Sequence, residues 1–295
     1  MRAREAEDAL PASRQIRKTF DKASKSFATA SIVHTEARER LLERLDFVKL
    51  VPRTMLDLGC GPAAGAASLA QRYPDARVLA MDSSRSMLQI ASGICATERR
   101  VSTLAGDAER LPLRPHCIEL LLANMLLPWC RPDAVFAEAA RVLNQHGLLM
   151  FATLGPDSLQ EIRRAWVGVD EFIHVHGFFD MHDLGDLAVS VGLKEPVMDV
   201  DRIELTYPSV RAIVADLRAC GGSNIARGRR RSLTGRHSWQ RFEQSLSAGE
   251  CDGRISITVE LILGQAWGAG SPAQAQATNR DEIAIPIDRI RRNFG

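Results

Sequence analysis

Long apolar runs are missing from this chain. The longest, Leu120 to Cys130, is interrupted by Asn124 and Pro128 and falls well short of the ~20 apolar residues that a membrane-spanning helix needs. The amino terminus is rich in Arg and Glu with no apolar core, so no secretory signal is expected and a cytoplasmic location is. Charge excess is missing too. The 38 Lys and Arg face 36 Asp and Glu, for a net charge of +2, which supplies no global electrostatic reason to bind nucleic acid or a membrane surface. The six cysteines, at positions 60, 95, 117, 130, 220 and 251, contain no Cys-x-x-Cys pair, so reduced, buried thiols are expected. The seven histidines show no metal spacing, and no metal is expected. His174-x-His176 comes nearest and reads as structural or substrate-lining. No Ser/His/Asp or Cys/His arrangement and no internal repeat is visible.

What the chain does have is a strand, an acid and a glycine turn in immediate succession: Met55-Leu-Asp-Leu-Gly-Cys-Gly-Pro-Ala-Ala-Gly65. Thr54 to Leu58 reads as a short buried strand, and Ala66 to Arg72 as the start of a helix. Gly59 and Gly61 let the backbone turn tightly and approach a ligand with no Cβ in the way. Gly59-x-Gly61-x-x-Ala64 also satisfies the loose dinucleotide fingerprint. Asp57 argues against that reading: a carboxylate repels a pyrophosphate but attracts the ammonium and sulfonium of S-adenosylmethionine. The segment resembles motif I of class I S-adenosylmethionine-dependent methyltransferases, with Ala63 in place of the third glycine, so that one extra methyl is expected near the cofactor. Two more acids follow at strand ends. Asp82 closes Arg77 to Asp82 and can accept both ribose hydroxyls, or cap the helix that follows. Asp107 follows a third strand and can accept from the adenine amino group, or serve only as a turn residue. The candidate cofactor residues are Asp57, Gly59, Gly61, Asp82, Met87, Asp107, Ala108 and Asn124.

With 295 residues and 45% hydrophobic content, the chain can bury a substantial core. Ile16 to about Leu50 reads as a helical arm, with Ile32, Leu41, Leu42 and Leu45 on one face. From Thr54 to Thr153 strands and helices alternate, which implies parallel strands. Ser158-x-x-Glu161 reads as a capping box opening a helix, and another helix is expected over Met181 to Val191. Val197 to Thr206 and Ile255 to Gly264 complete seven strands. Between them, residues 209–253 are expected to hold a helix at Val210 to Cys220 and a basic loop, as an insertion over the sheet.

Several further segments resemble the malonyl-acyl-carrier-protein O-methyltransferase family of biotin synthesis. They are Phe20-Asp-Lys-Ala-Ser, Asn124-Met-Leu-Leu-Pro-Trp-Cys130, Thr153-Leu-Gly-Pro-Asp-Ser-Leu, Tyr207-Pro-Ser-Val-Arg, Gly221-Gly-Ser-Asn224 and Leu233-Thr-Gly235. The match runs from about residue 14 to 267 and departs at Ala63 and at Phe27, where the family usually has Tyr. The resemblance implies an α/β, Rossmann-like seven-stranded sheet divided into an arm (1–50), a methyltransferase domain (51–267) and a polar, poorly ordered tail (268–295). It implies methyl transfer to the free carboxylate of a malonyl thioester on acyl carrier protein. That carboxylate is ionised at neutral pH, so no catalytic base is expected, only alignment and exclusion of water.

Phe20, Phe27, Trp129 and His176 are candidate cavity residues, with His34 closing over the cofactor beside the two phenylalanines. Arg227, Arg229, Arg230, Arg231 and Arg236, with His237, concentrate positive charge in one loop, which suits an acidic carrier protein or a phosphopantetheine phosphate. No aromatic residues interleave them to stack bases. Other functions stay open: methylation of a different small acid or quinone precursor, arginine hydroxylation as in the complex I assembly factors that share the flavour of residues 207 to 224, or a noncatalytic binding protein.

Overall fold

A computed structural model describes residues 13–269. The expected polar tail lies, from residue 270 onward, outside them. The arm is two helices rather than one: α1 (Ser13–Ala30) and α2 (Ile32–Arg44), followed by a 3-10 turn at Leu45–Phe47. The break at Ser31 rotates Ile32 off the shared face, leaving it 67% exposed, while Ala37, Leu41 and Leu45 are buried against the sheet.

The alternating region gives β1 (Thr54–Leu58), α3 (Ala64–Arg72), β2 (Arg77–Asp82), α4 (Arg85–Thr97), β3 (Val101–Ala105), β4 (Ile118–Asn124), α5 (Pro132–Val142) and β5 (Leu143–Leu154). These five strands are parallel, in the spatial order β3-β2-β1-β4-β5. Leu120, Leu121 and Leu122 of β4 are all fully buried, because helices cover both faces of the sheet. Parallel strands end at one edge, which brings the ends of β1, β2 and β4 and the loop after β3 together.

The distal half follows as α6 (Gln160–Trp166), α7 (Met181–Ser190), β6 (Lys194–Tyr207), α8 (Val210–Ala219), α9 (Arg236–Ser247), β7 (Glu250–Cys251) and β8 (Arg254–Trp267). Among the described residues the seven expected strands are joined by an eighth. The extra one is a two-residue strand joined to β8 through Asp252-Gly253, both with positive φ, at 50° and 72°, as Asp-Gly hairpin turns require. The hairpin sends β8 back antiparallel between β5 and β6. Helix α9 was not expected; it packs Phe242 and Leu246 onto Ile162 and Trp166 of α6.

The capping box does not form. Leu159 precedes α6, Ser158 Oγ donates to the Glu260 carbonyl, and the Glu161 carboxylate accepts from the Thr258 amide and hydroxyl. Both side chains bind β8 because the inserted strand presents its backbone beside them. Among the described residues no helix is long and apolar enough to cross a membrane, and none of their His, Cys, Asp and Glu side chains form a group that could hold a metal. All six cysteines are free, but only Cys60 is fully buried and Cys251 is exposed.

Candidate active site

The loop after β1 is fixed from both sides. Its Gly59 and Cys60 amides donate to the Met81 carbonyl of β2, at 2.8 and 3.0 Å. Gly59 has φ 70°, and a Cβ there would stand 2.8 Å from Leu126 Cδ1, so any side chain at this position meets both strain and collision. The Gly61 amide donates to Asp82 Oδ2 at 2.9 Å. Asp57 lies beneath the loop, 3% exposed, and accepts from the Ala66 amide at 2.7 Å. Burial pushes its carboxyl up to about 7, against the Ala66 hydrogen bond that lowers it. A Cβ on Gly65 would stand 2.8 Å from that carboxylate, so the absence of a side chain there makes room for the acid.

Ala63 departs from the expectation. It has φ 65° and its methyl is buried in the core behind the loop, outside the cavities that flank the turn. The absent glycine therefore costs backbone strain and does not narrow the cofactor site. Helix α4 is capped by Ser84, whose hydroxyl accepts from the Met87 amide, and not by Asp82. Asp82 accepts the Ser84 amide on Oδ1 at 2.7 Å. Each of its oxygens is thus anchored once and keeps a further lone pair for a ligand.

A cleft runs along this edge in two compartments. One, about 90 Å³, is lined by Gly61, Asp82, Met87, Asp107, Ala108 and Trp129, among others. The other, about 270 Å³, lies between α2 and the loop and is lined by His34, Arg38, Asp57, Gly59, Gly65 and Asn124, among others. The arm forms the outer wall: Phe20 meets Trp129 edge-on at 5.1 Å and Phe27 meets His34 at 4.9 Å. Asp21 holds α1 down by accepting from Ser84 Oγ at 2.6 Å, and Asn124 Nδ2 donates to the His34 carbonyl at 2.8 Å. Asp21 and Arg38 were missed from the sequence. Arg38 had a signal, since it lies four residues from His34 and shares its helix face.

Behind Trp129 lies a larger, mainly apolar cavity of about 450 Å³. Val33, His34, Trp129, His176, Tyr207 and Ile213 help to line it, and no Lys or Arg does. Trp129 is therefore a partition between two cavities rather than core packing. His176 stacks edge-on to Trp129 at 5.4 Å, with its Nε2 buried and unpartnered. Burial lowers both His34 and His176 to about 4. His174 lines the same cavity, lies flat on Trp166, 3.5 Å between ring centroids, and bonds to Asp170 at 2.8 Å.

The arginine loop divides. Arg230 pairs with Asp170 at 3.5 Å and covers the Phe172 ring, and Arg229 donates to the Ala226 carbonyl at 3.1 Å. These two brace the loop. Arg227, Arg231 and Arg236 are exposed, beside Leu233 at 94% exposure.

A parallel sheet continued by an antiparallel strand, with acids ending β1 and β2 and a glycine loop between them, defines a class I S-adenosylmethionine-dependent methyltransferase. The unpartnered His34 Nδ1, Arg38 Nε and Asn124 Oδ1 of the cleft, and the two glycines of its loop, suit that cofactor. Comparison with known proteins agrees. A methyltransferase-domain family matches residues 56–151. In structure, the chain is similar to the [4+2]-cyclase SpnF, with TM-score 0.59 and 16% identity over 89% of this chain and 98% of that one. It is also similar to a Haemonchus contortus N-methyltransferase solved with S-adenosylhomocysteine, with TM-score 0.50 and 15% identity over 78% of this chain and 52% of that one. In sequence, it is 40% identical to the malonyl-[acyl-carrier protein] O-methyltransferase of Laribacter hongkongensis, over 91% of this chain and 94% of that protein. The chain belongs to the malonyl-[acyl-carrier protein] O-methyltransferase family.

Proposed function

We propose that this enzyme methylates the free carboxylate of a malonyl thioester carried on acyl carrier protein, an early step of biotin synthesis. The observation that carries this reading is the apolar cavity of about 450 Å³ meeting the cofactor cleft at Trp129, where burial lowers His34 and His176 to about 4. S-Adenosylmethionine, when bound, supplies an electrophilic methyl group on its sulfonium. In the cleft, Asp82 would accept the ribose hydroxyls, Asp107 and the Ala108 backbone would meet the adenine, and Asp57 would attract the ammonium. Gly59 and Gly61 permit close approach.

The chain's own work at the acyl side is orientation and exclusion of water. Trp129, Phe20 and Phe27 close the junction, which strengthens every electrostatic interaction inside it. The substrate carboxylate arrives ionised, so no side chain needs to remove a proton. Arg227, Arg231 and Arg236 form a basic rim for the acidic surface of the carrier. The six free cysteines suit the reducing cytoplasm.

The test is complementation of a biotin-requiring strain that lacks its malonyl methyltransferase. Growth without biotin is expected from the wild-type gene and not from one encoding Asp82→Ala. Absence of growth from a well-expressed wild-type protein would overturn the reading in favour of another small acid.

A further inference from the structure

Three unpartnered polar atoms belong to residues that line the 270 Å³ compartment between α2 and the glycine loop: Nδ1 of His34, Nε of Arg38 and Oδ1 of Asn124. Asp57 lines the same space. A guanidinium nitrogen shut off from solvent without an acceptor is costly. Among the described residues, the carboxylate in ion-pair reach of Arg38 is Glu39, 3.9 Å away and 58% exposed, which compensates little. Arg38 itself is only 18% exposed, and its charge draws the Asp57 carboxyl down against burial.

The compartment therefore offers acceptors, Asp57 and Asn124 Oδ1, together with one donor cation. That is the complement of a zwitterion with an ammonium and a carboxylate on one carbon. We propose that Arg38 receives the carboxylate at the amino-acid end of the cofactor, and that this contact fastens α2 across the cleft. This rests on the cofactor reading of the cleft given above. Its consequence reaches the other cavity, because Ala30, Ile32, Val33 and His34 of the same arm wall the acyl site. Binding of the amino-acid end completes that wall, so the cofactor binds before the acyl substrate.

The experiment uses S-adenosylhomocysteine and 5′-methylthioadenosine, which keeps the adenosine and thioether but lacks the amino-acid end. Both are titrated calorimetrically into the full-length wild type, Arg38→Met and Arg38→Lys. Arg38→Met is expected to weaken S-adenosylhomocysteine on the order of tenfold to hundredfold, the range for a hydrogen bond to a charged group, while 5′-methylthioadenosine changes by less than about twofold. Lys restores part of the loss. Equal losses for both ligands would mean that Arg38 only supports the cleft and would overturn the proposal, as would no loss for either. Failure of the wild type to bind S-adenosylhomocysteine would instead overturn the cofactor reading beneath it. Hydrogen exchange checks the latch: S-adenosylhomocysteine alone should protect α2 amides, and protection by both ligands contradicts it.

Discussion

The cofactor cleft draws Asp57, Asp82, Asp107 and Asn124 from successive strand ends of one alternating segment. The acyl cavity draws Val33, Trp129, His176, Tyr207 and Ile213 from five separate stretches of chain. The first holds carboxylates fastened by backbone amides; the second is mainly apolar and shaped by side chains. A site built on strand ends inherits its geometry from sheet register, whereas a cavity between an arm, an insertion and a sheet face depends on long-range packing. Substitutions should separate the two.

The largest separation is expected at Asp82. Asp82→Ala should weaken cofactor binding by ~1 to 3 kcal/mol, the cost of losing a partner to buried donors, while the KM for the malonyl carrier at saturating cofactor stays put. Unchanged affinity in titration would remove Asp82 from the site. On the other side, Ala212→Phe adds a ring to the acyl cavity that Ala212 lines, and overpacking of this kind costs about 1 to 3 kcal/mol. The apparent KM for the acyl substrate should rise at least tenfold, and the cofactor Kd should stay put. A parallel shift of both would merge the two regions.

Smaller effects are expected at the rim. Reversing Arg227, Arg231 and Arg236 to Glu should slow association with the carrier and raise its KM, leaving activity on a small malonyl thioester intact. The wild-type rate with the carrier should fall with salt, because exposed charges beyond ~8 to 10 Å are screened at physiological ionic strength. Reversing Arg229 and Arg230 should lower thermal stability instead, since they brace the loop.

Proton effects also divide. Turnover should be flat from about pH 6 to 8, since His34 and His176, at about 4, are neutral throughout. Cofactor affinity should fall as pH drops through about 7, where Asp57 takes up a proton and loses its attraction for the ammonium. A turnover midpoint near 7 with constant cofactor affinity would reverse that assignment. The smallest effect is Ala63→Gly, which relieves a left-handed alanine with φ 65°. It should stabilise by about 1 kcal/mol, and an unchanged Tm would show that the loop carries no strain there.

This division explains what the sequence disclosed. The parallel strands and the three acids were legible, because strand and helix alternate and each acid stands at or just after a strand end beside its turn. The exposed face of Ile32 was not legible, since the helix break at Ser31 carries neither Pro nor Gly. Ser158 and Glu161 have the spacing of a capping box, yet β8, about a hundred residues on, takes both side chains. Helix α9 hid behind an arginine-rich stretch, where Phe242 and Leu246 alone carry the buried face. Two of the five loop arginines turned inward, Arg230 to Asp170 and Phe172 and Arg229 to the Ala226 carbonyl, neighbours invisible in the sequence. Asp252-Gly253 was a readable hairpin turn, masked by the shortness of β7.

The most direct measurement is intact-mass spectrometry of malonyl and acetyl carrier protein after incubation with the enzyme and S-adenosylmethionine. The malonyl form should gain the mass of one methylene group, on its free carboxylate, and the acetyl form should gain nothing. Methylation of both carriers, or of neither while S-adenosylmethionine still binds, would contradict carboxylate methylation.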